Sequence, residues 1–217
     1  MGGIDNTLRP VCAVIMSAAS TADDRIDLPP EFADHLATVG NLDTTPETLA
    51  EYWSQFADQL VATDHTIEPG DLYTDEPTRH EVQVDEQVQY APCVLDALTA
   101  AVLESQSPVT VRSVDPVTHT PVTFTVGADT IRVTPEKAIV TFGIAPSIPA
   151  LEASDETIFD WMLQADTPSV STAFCQYINA FESRESYDEW RTITDGKTIP
   201  VQPASAERLI RQYIDLD

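Results

Sequence analysis

The chain predicts an α+β protein, with a small helical N-terminal region followed by an antiparallel-sheet core with flanking helices. Three observations carry that reading. Apolar residues recur at helical spacing between Phe32 and Leu60, short β-branched runs bounded by Pro, Gly or Asp fill positions 109–144, and a second helical pattern closes the chain from Ala204 to Ile214.

Residues 1–28 mix short apolar and acidic pieces and support no element. From Pro29 to Ala37 a short helix places Phe32 and Leu36 one turn apart and ends near Gly40. Thr45-Pro46-Glu47 reads as a helix start, with Thr45 as cap and Pro46 at the first helical position, and Leu49, Trp53, Phe56 and Leu60 form its inner stripe. The Asp-, Glu-, Pro- and Gly-rich stretch from Asp64 to Pro77 is a loop or boundary, which divides the chain into residues 1–77 and 78–217. His80–Asp85 alternates like a strand. Pro92 sits where a first helical turn accepts it, and Cys93–Leu103 follows as a helix. Val109–Ser113, Val122–Val126, Ile131–Val133 and Ala138–Ile144 are the sheet. In the acidic segment 146–168, Ile158, Phe159, Trp161, Met162 and Leu163 suit a short helix lying over something apolar, with Phe159, Trp161 and Met162 as a cover that excludes water. Thr172–Phe181 reads as a strand, and Ser186 with Glu189 as a capping box before Trp190. The last helix turns Leu209, Ile210, Tyr213 and Ile214 inward.

Of the 217 residues, 36 are acidic and 11 basic, a formal charge of -25, and Lys137 and Lys197 are the only lysines. Nucleic acid is an unfavourable partner for such a surface, which argues against a DNA-binding reading of the N-terminal helices. The same charge in a low-hydrophobicity chain would mean disorder, but 42% of the residues are hydrophobic and they fall in periodic segments. A folded protein with a dense carboxylate surface suits molar salt, where self-repulsion is screened within a few ångströms, so the expectation is a halophile's protein. Cys12, Cys93 and Cys175 are too few and too widely spaced for a secreted disulfide framework, and the apolar stretch Val11–Ala19 is too short to span a membrane. The expected location is the cytoplasm, with reduced thiols and no membrane partner.

The chemistry-bearing residues are few. Cys93 follows Pro92 at a helix start, where free backbone N–H groups and the helix dipole favour a thiolate, and Asp96 lies three residues on, along roughly the same helix face. An aspartate within Val94-Leu95-Asp96-Ala97-Leu98 either faces water in the first turn or, if buried, needs a partner or a proton. Cys175, between Phe174 and Tyr177, reads by itself as a small core residue. Two soft sulfurs and one carboxylate could hold a thiophilic metal and move a proton beside it. His35, His65, His80 and His119 form no metal-binding motif and read as surface residues; Trp53, Trp161 and Trp190 read as core anchors. No CxxC, GxGxxG, GxxxxGK[ST] or GxSxG occurs.

Four segments together resemble the alkylmercury lyase family, the organomercurial lyases: Tyr90-Ala-Pro-Cys-Val-Leu-Asp-Ala-Leu98, the strands Val109–Ser113 and Pro121–Val126, and Phe174-Cys-Gln-Tyr-Ile-Asn-Ala-Phe181 with Tyr187-Asp-Glu-Trp190. The resemblance covers residues 78–195 and implies that Cys93 and Cys175 bind mercury while Asp96 handles the proton. It implies protonolysis of a carbon–mercury bond, giving a hydrocarbon and Hg²⁺ held on sulfur, in a 78–217 catalytic domain behind a degenerate winged-helix-like region. No organic cofactor is implied. The partners are an organomercurial small molecule and, for the Hg²⁺ product, free thiols or a mercuric reductase. The chain departs from the family where Pro92 replaces an aromatic residue, where Asp115 stands at the place of another cysteine, and in a longer segment before Cys175. The competing reading is a non-catalytic carrier that binds Hg²⁺ or Cu⁺ through the same thiol pair.

Overall fold

In the computed structural model, residues 25–62, 66–104, 108–152, 157–165 and 167–214 are described. The sequence positions Cys12, Val11–Ala19 and His65, and the side chains of Leu60, Phe159, Leu163, Tyr213 and Ile214, lie outside the described set. Two helices lead. The first, α1 (Pro30–Gly40), ends at Asn41 in the left-handed region (φ 48°), after which the Leu42 N–H returns to the Ala37 carbonyl at 3.0 Å. The second, α2 (Leu49–Ala62), starts later than Thr45-Pro46 suggested. Its cap is Thr48, whose Oγ1 accepts the Glu51 N–H at 3.2 Å, while the Glu51 carboxylate accepts the Glu47 N–H at 2.7 Å. An isolated bridge between Asp27 and Thr48 holds the preceding residues extended, so the helix cannot begin before that bridge releases the chain.

The larger sheet contains β1 (His80–Val84), β2 (Gln87–Tyr90), β3 (Val109–Val114), β4 (Pro121–Val126) and β5 (Ile131–Thr134). Their order is β2-β1-β3-β4-β5 and every pairing is antiparallel. Alternation puts Val109, Val111, Val122, Phe124 and Val126 on one buried face, and the pairings Val82↔Val111↔Phe124 align them. Helix α3 (Val94–Leu103), apolar around most of its girth, lies across that face and also meets the last helix, Pro203–Ile214. Strand β2 was not foreseen. Gln-Val-Gln-Tyr has weak strand character and only half-buried or exposed side chains, and it forms because Asp85, at φ 53°, reverses the chain so that Val84 pairs with Gln87.

The smaller antiparallel sheet has the order β7-β6-β8, built from β6 (Ile139–Ile144), β7 (Ala180–Phe181) and β8 (Lys197–Val201). All six residues of β6 are buried. The sequence hid β8, because Pro200 disqualifies a central strand; β8 is an edge, with Pro200 opposite Thr141. Between β6 and β7 run three short helices, α4 (Pro149–Glu152), α5 (Ile158–Gln164) and α6 (Thr167–Ala173), and then a 3₁₀ turn, Cys175–Tyr177.

The strand expected over Thr172–Phe181 is therefore corrected. The Tyr177 and Ile178 N–H groups bond three residues back, to Phe174 and Cys175 carbonyls, so local bonding displaces the ladder until Ala180. Helix α7 (Arg184–Arg191) is capped by Ser183, whose Oγ accepts the Ser186 N–H at 3.3 Å, rather than by Ser186; helix α8 (Pro203–Ile214) ends the fold.

Two buried polar groups lock these layers. Asp115, fully buried, accepts the N–H groups of Val117 (2.8 Å), Thr118 (3.2 Å) and Glu182 (2.9 Å) and the Ser186 hydroxyl (2.7 Å), which joins the β3–β4 turn to β7 and α7. His80, expected at the surface, is instead 2% exposed, with Nδ1 2.8 Å from the Ser113 hydroxyl. Burial, aided by the neighbouring Arg79 charge, pushes its pKa down to about 3, so it is a neutral core residue. The inner faces of α1 and α2 belong to the same hydrophobic core as the sheets: Leu36, Val39, Leu49 and Tyr52 sit in it, with α1 against α4 and α2 against α5 and α8.

Candidate active site

The site is assembled where α3 begins. Cys93 is the N-cap residue of α3, in extended conformation (φ −143°, ψ 171°), and its sulfur accepts the Asp96 N–H at 3.4 Å, the role usually taken by a Ser or Asp oxygen. That geometry turns the Asp96 side chain back beside the sulfur. One residue further, the Val94 N–H reaches the Ile178 carbonyl at 3.3 Å and ties the start of α3 to the segment carrying Cys175.

Cys175 opens the 3₁₀ turn, which is bound firmly to β6. The Thr141 hydroxyl donates to the Tyr177 carbonyl at 2.9 Å, and the Asn179 N–H donates to the Thr141 hydroxyl at 2.9 Å. The Tyr177 hydroxyl donates to Asp195 at 2.9 Å. Glycine is required under that ring: a Cβ on Gly196 would overlap the Tyr177 ring, and one on Gly143 would stand 2.9 Å from the Tyr177 carbonyl oxygen. The turn is thus packed against a backbone surface free of side chains, which fixes where its first residue points.

The outcome is that the sulfurs of Cys93 and Cys175 and a carboxylate oxygen of Asp96 all lie within 4.8 Å of one another. Two metal–thiolate bonds of about 2.3 Å each reach about 4.6 Å end to end, so one soft ion fits between the sulfurs. The Cys175 sulfur stands 3.9 Å from Asp96 Oδ2, a long contact aimed at the carboxylate. Both cysteines are free and buried. Asp96 is half-buried and lines the cavity, so it is neither the fully buried nor the fully solvated residue that the sequence left open.

Electrostatics correct one expectation. The helix start supplies one N–H to Cys93, but removal from water outweighs it; burial first, then the Cys175 thiol and the Asp96 charge, push the Cys93 thiol well above its ordinary range. Cys93 rests as a thiol. Asp96 is raised to about 6 by burial, a shift that the hydrogen bonds from the two thiols moderate. The resting Cys93 thiol therefore lies beside a carboxylate of raised basicity, so a metal that displaces a thiol proton finds a base already close to sulfur.

The trio opens on a cavity of about 350 Å³ whose walls are mainly apolar and whose lining contains no Lys, Arg or His among the described residues. Its walls come from both halves of the chain: Pro92, Leu95 and Thr99 around α3, Thr141 and Phe142 on β6, and Leu49, Tyr52, Trp53 and Phe56 on α2. Of the proposed cover, Met162 lines the cavity, while Trp161 is half-buried and stacks edge-on against Phe174, which lines it too (6.1 Å between ring centres). The α2 aromatics are the part that sequence reasoning assigned to the core alone. Their helical spacing is the same for a core stripe and for a cavity wall, so no sequence signal distinguishes the two.

Among the remaining histidines, His35 Nε2 lies 2.8 Å from the Ala145 carbonyl and His119 is exposed; neither joins the trio. No helix among the described residues is long and apolar enough to cross a membrane.

No curated protein matches the chain. Among solved structures, the mercury-bound form of MerB2 aligns over 76% of this chain and 74% of that one, at 15% sequence identity and a TM-score of 0.47. The family described as MerB, alkylmercury lyase, matches residues 73–215, a span that holds the whole cysteine–aspartate trio and both sheets. The chain belongs to the alkylmercury lyase family, whose members are carbon–mercury lyases.

Proposed function

We propose that the protein cleaves organomercurials by protonolysis, with Cys93 and Cys175 as the mercury-binding thiols and Asp96 as the proton carrier. The observation that carries this reading is the convergence of two buried sulfurs and one carboxylate within 4.8 Å at an apolar cavity.

An organomercury cation R–Hg⁺ arrives on an exchangeable thiolate. Cys93 sulfur replaces that ligand, and the Cys93 proton leaves with the displaced thiol. As the Cys175 sulfur closes on mercury, its proton passes to Asp96, the nearest base. Two thiolates load electron density onto mercury and weaken its bond to carbon, and Asp96 delivers its proton to that carbon. The carbon–mercury bond breaks, R–H departs, Hg²⁺ stays on the two sulfurs, and Asp96 returns to the carboxylate. A pKa near 6 suits a group that must both take a thiol proton and give it up.

The chemistry needs no organic cofactor. Hg²⁺ bound by two thiolates leaves by exchange onto acceptor thiols or a mercuric reductase. The carboxylate-rich surface suits a salt-rich cytoplasm.

The test is hydrocarbon release from phenylmercury and methylmercury with excess thiol. Cys93→Ser and Cys175→Ser should each abolish turnover, and undiminished cleavage by Cys175→Ser would overturn the assignment. A carrier using the same thiols would release no hydrocarbon even as wild type.

A further inference from the structure

The cavity behind the trio carries information about the organic group. A cavity of about 150 Å³ lined by Leu, Ile and Phe is enough to hold a benzene ring, and the one here is about 350 Å³. A methyl group would leave most of it unfilled.

One wall is aromatic. Tyr52 and Trp53 are neighbours on α2 and Phe56 follows one turn later, with Phe142 of β6 among them. The Trp53 ring meets Phe56 edge-on at 5.4 Å and Phe142 at 5.7 Å, and Tyr52 meets Phe142 at 5.3 Å. All four line the cavity, and Trp53 is the half-buried member, whereas Phe56, Tyr52 and Phe142 are buried. The wall is joined to the thiols through the backbone: Phe142 is adjacent to Thr141, whose hydroxyl holds the turn that begins at Cys175. The α2 contribution also lies outside residues 73–215, so this wall is built by a part of the chain that the family match does not include.

The charges on the lining are of one sign. Asp71 and Asp96 face the cavity, and no cationic side chain does among the described residues. An organic group bearing a carboxylate would find no cationic partner among the described residues there and would be desolvated beside like charge.

Resting on the proposed lyase activity, we infer that α2, through Trp53 with Tyr52 and Phe56, forms a subsite for an uncharged aryl group, which makes the protein an arylmercury-selective member. Aromatic rings gain more from edge-on and offset neighbours than from their area alone, and a methyl group gains nothing from them.

The experiment compares kcat/KM for phenylmercury, methylmercury and p-mercuribenzoate in the wild type, Trp53→Ala and Trp53→Leu. Because aryl and alkyl groups differ in intrinsic reactivity, the readout is the change in the phenyl-to-methyl ratio between proteins. Trp53→Ala should lower that ratio by about ten-fold. Trp53→Leu, which keeps the apolar bulk and protects the fold, should lower it in the same direction. In the wild type, p-mercuribenzoate should be cleaved at least about ten-fold less efficiently than phenylmercury. A ratio unchanged in both variants overturns the subsite, and equal use of phenylmercury and p-mercuribenzoate overturns its preference for uncharged groups. Wild-type protein that releases no hydrocarbon from any of the three would instead remove the lyase reading itself.

Discussion

Two aspartates are drawn into this protein's interior in different surroundings, one at the thiol site and one at the β3–β4 turn. Asp115 is fully enclosed and surrounded by strong donors, three backbone N–H groups and the Ser186 hydroxyl, all fixed by the β3–β4 turn, β7 and α7. Asp96 is only half-buried, but its side-chain neighbours are two thiols, which are weak donors, and its pKa is raised to about 6. Strong, fixed donors suit a rivet; weak, exchangeable donors suit the proton-carrying role proposed for Asp96. Asp96 loses water without gaining strong donors in exchange, so burial raises its pKa and the two thiols only moderate the rise.

That contrast can be broken by making the same change at both positions. The largest expected effect is on turnover in Asp96→Asn, which should lose about 10²–10⁴-fold in kcat, because a positioned proton carrier is worth that much. The variant should still take up one Hg²⁺ on its two thiols, measured by calorimetry. Asp115→Asn should leave kcat per folded molecule nearly unchanged, and a comparable loss there would erase the distinction.

The pH profile is the next largest effect. A carboxylate is needed to accept the thiol proton, so kcat/KM of the free enzyme should fall below a pKa near 6, by roughly ten-fold per pH unit. A profile flat from about pH 5 to 8 would mean that Asp96 does not carry the proton.

Stability should reverse the ranking. Asp115→Asn leaves backbone N–H groups poorly partnered and should cost about 2–4 kcal/mol in urea melts. Asp96→Asn should do the opposite in a pH-dependent way. Its folded pKa is raised, so the stabilisation from protonation is fully present below the ordinary aspartate pKa and is lost as pH rises through about 6. The variant should therefore match wild type near pH 4 and exceed it by up to about 2–3 kcal/mol at pH 7.5, less whatever the open side of the site returns through solvation. Equal stability at both pH values would place Asp96 in contact with water.

The smallest effect separates buried from surface charge. Raising KCl from about 0.1 M to 3 M should raise the melting temperature by several degrees, as surface carboxylates cease to repel, while the difference between the two variants persists because buried groups are screened little. A melting temperature indifferent to salt would contradict the reading of the surface.

The sequence carried more of the fold than of the site. Helices α1 and α8 and strands β1, β3 and β4 were legible from an apolar periodicity, and α3, β5 and β6 from short apolar or β-branched runs bounded by Pro, Gly or Asp. Strand β2 and strand β8 were hidden because edge strands need no such pattern, and β8 contains Pro200. The segment around Cys175 was misread as a strand because Phe174, Cys175, Tyr177 and Ile178 are apolar enough for one; the i→i+3 bonds that bend it depend on β6 and on Gly143 and Gly196 beneath Tyr177. Cys93 was expected to be an activated thiolate from its helix start, but burial in the folded core, with Cys175 and Asp96 beside it, decides otherwise.

By itself the sequence determined what local forces determine: that Cys93 and Asp96 share the first turn of a helix, since i and i+3 positions there are neighbours by geometry, and that the charge sits outside a folded core. It also supplied, through several short matches in one order, the family. The tertiary structure alone decided that Cys175, 79 residues beyond Asp96, comes within reach of the pair, because that contact rests on hydrogen bonds from Val94 to Ile178 and from Thr141 to Tyr177, which no local pattern encodes. It alone decided that Asp96 lines an apolar cavity and hence has a pKa near 6, and that α2 faces the thiols, because burial is a property of everything packed around a group.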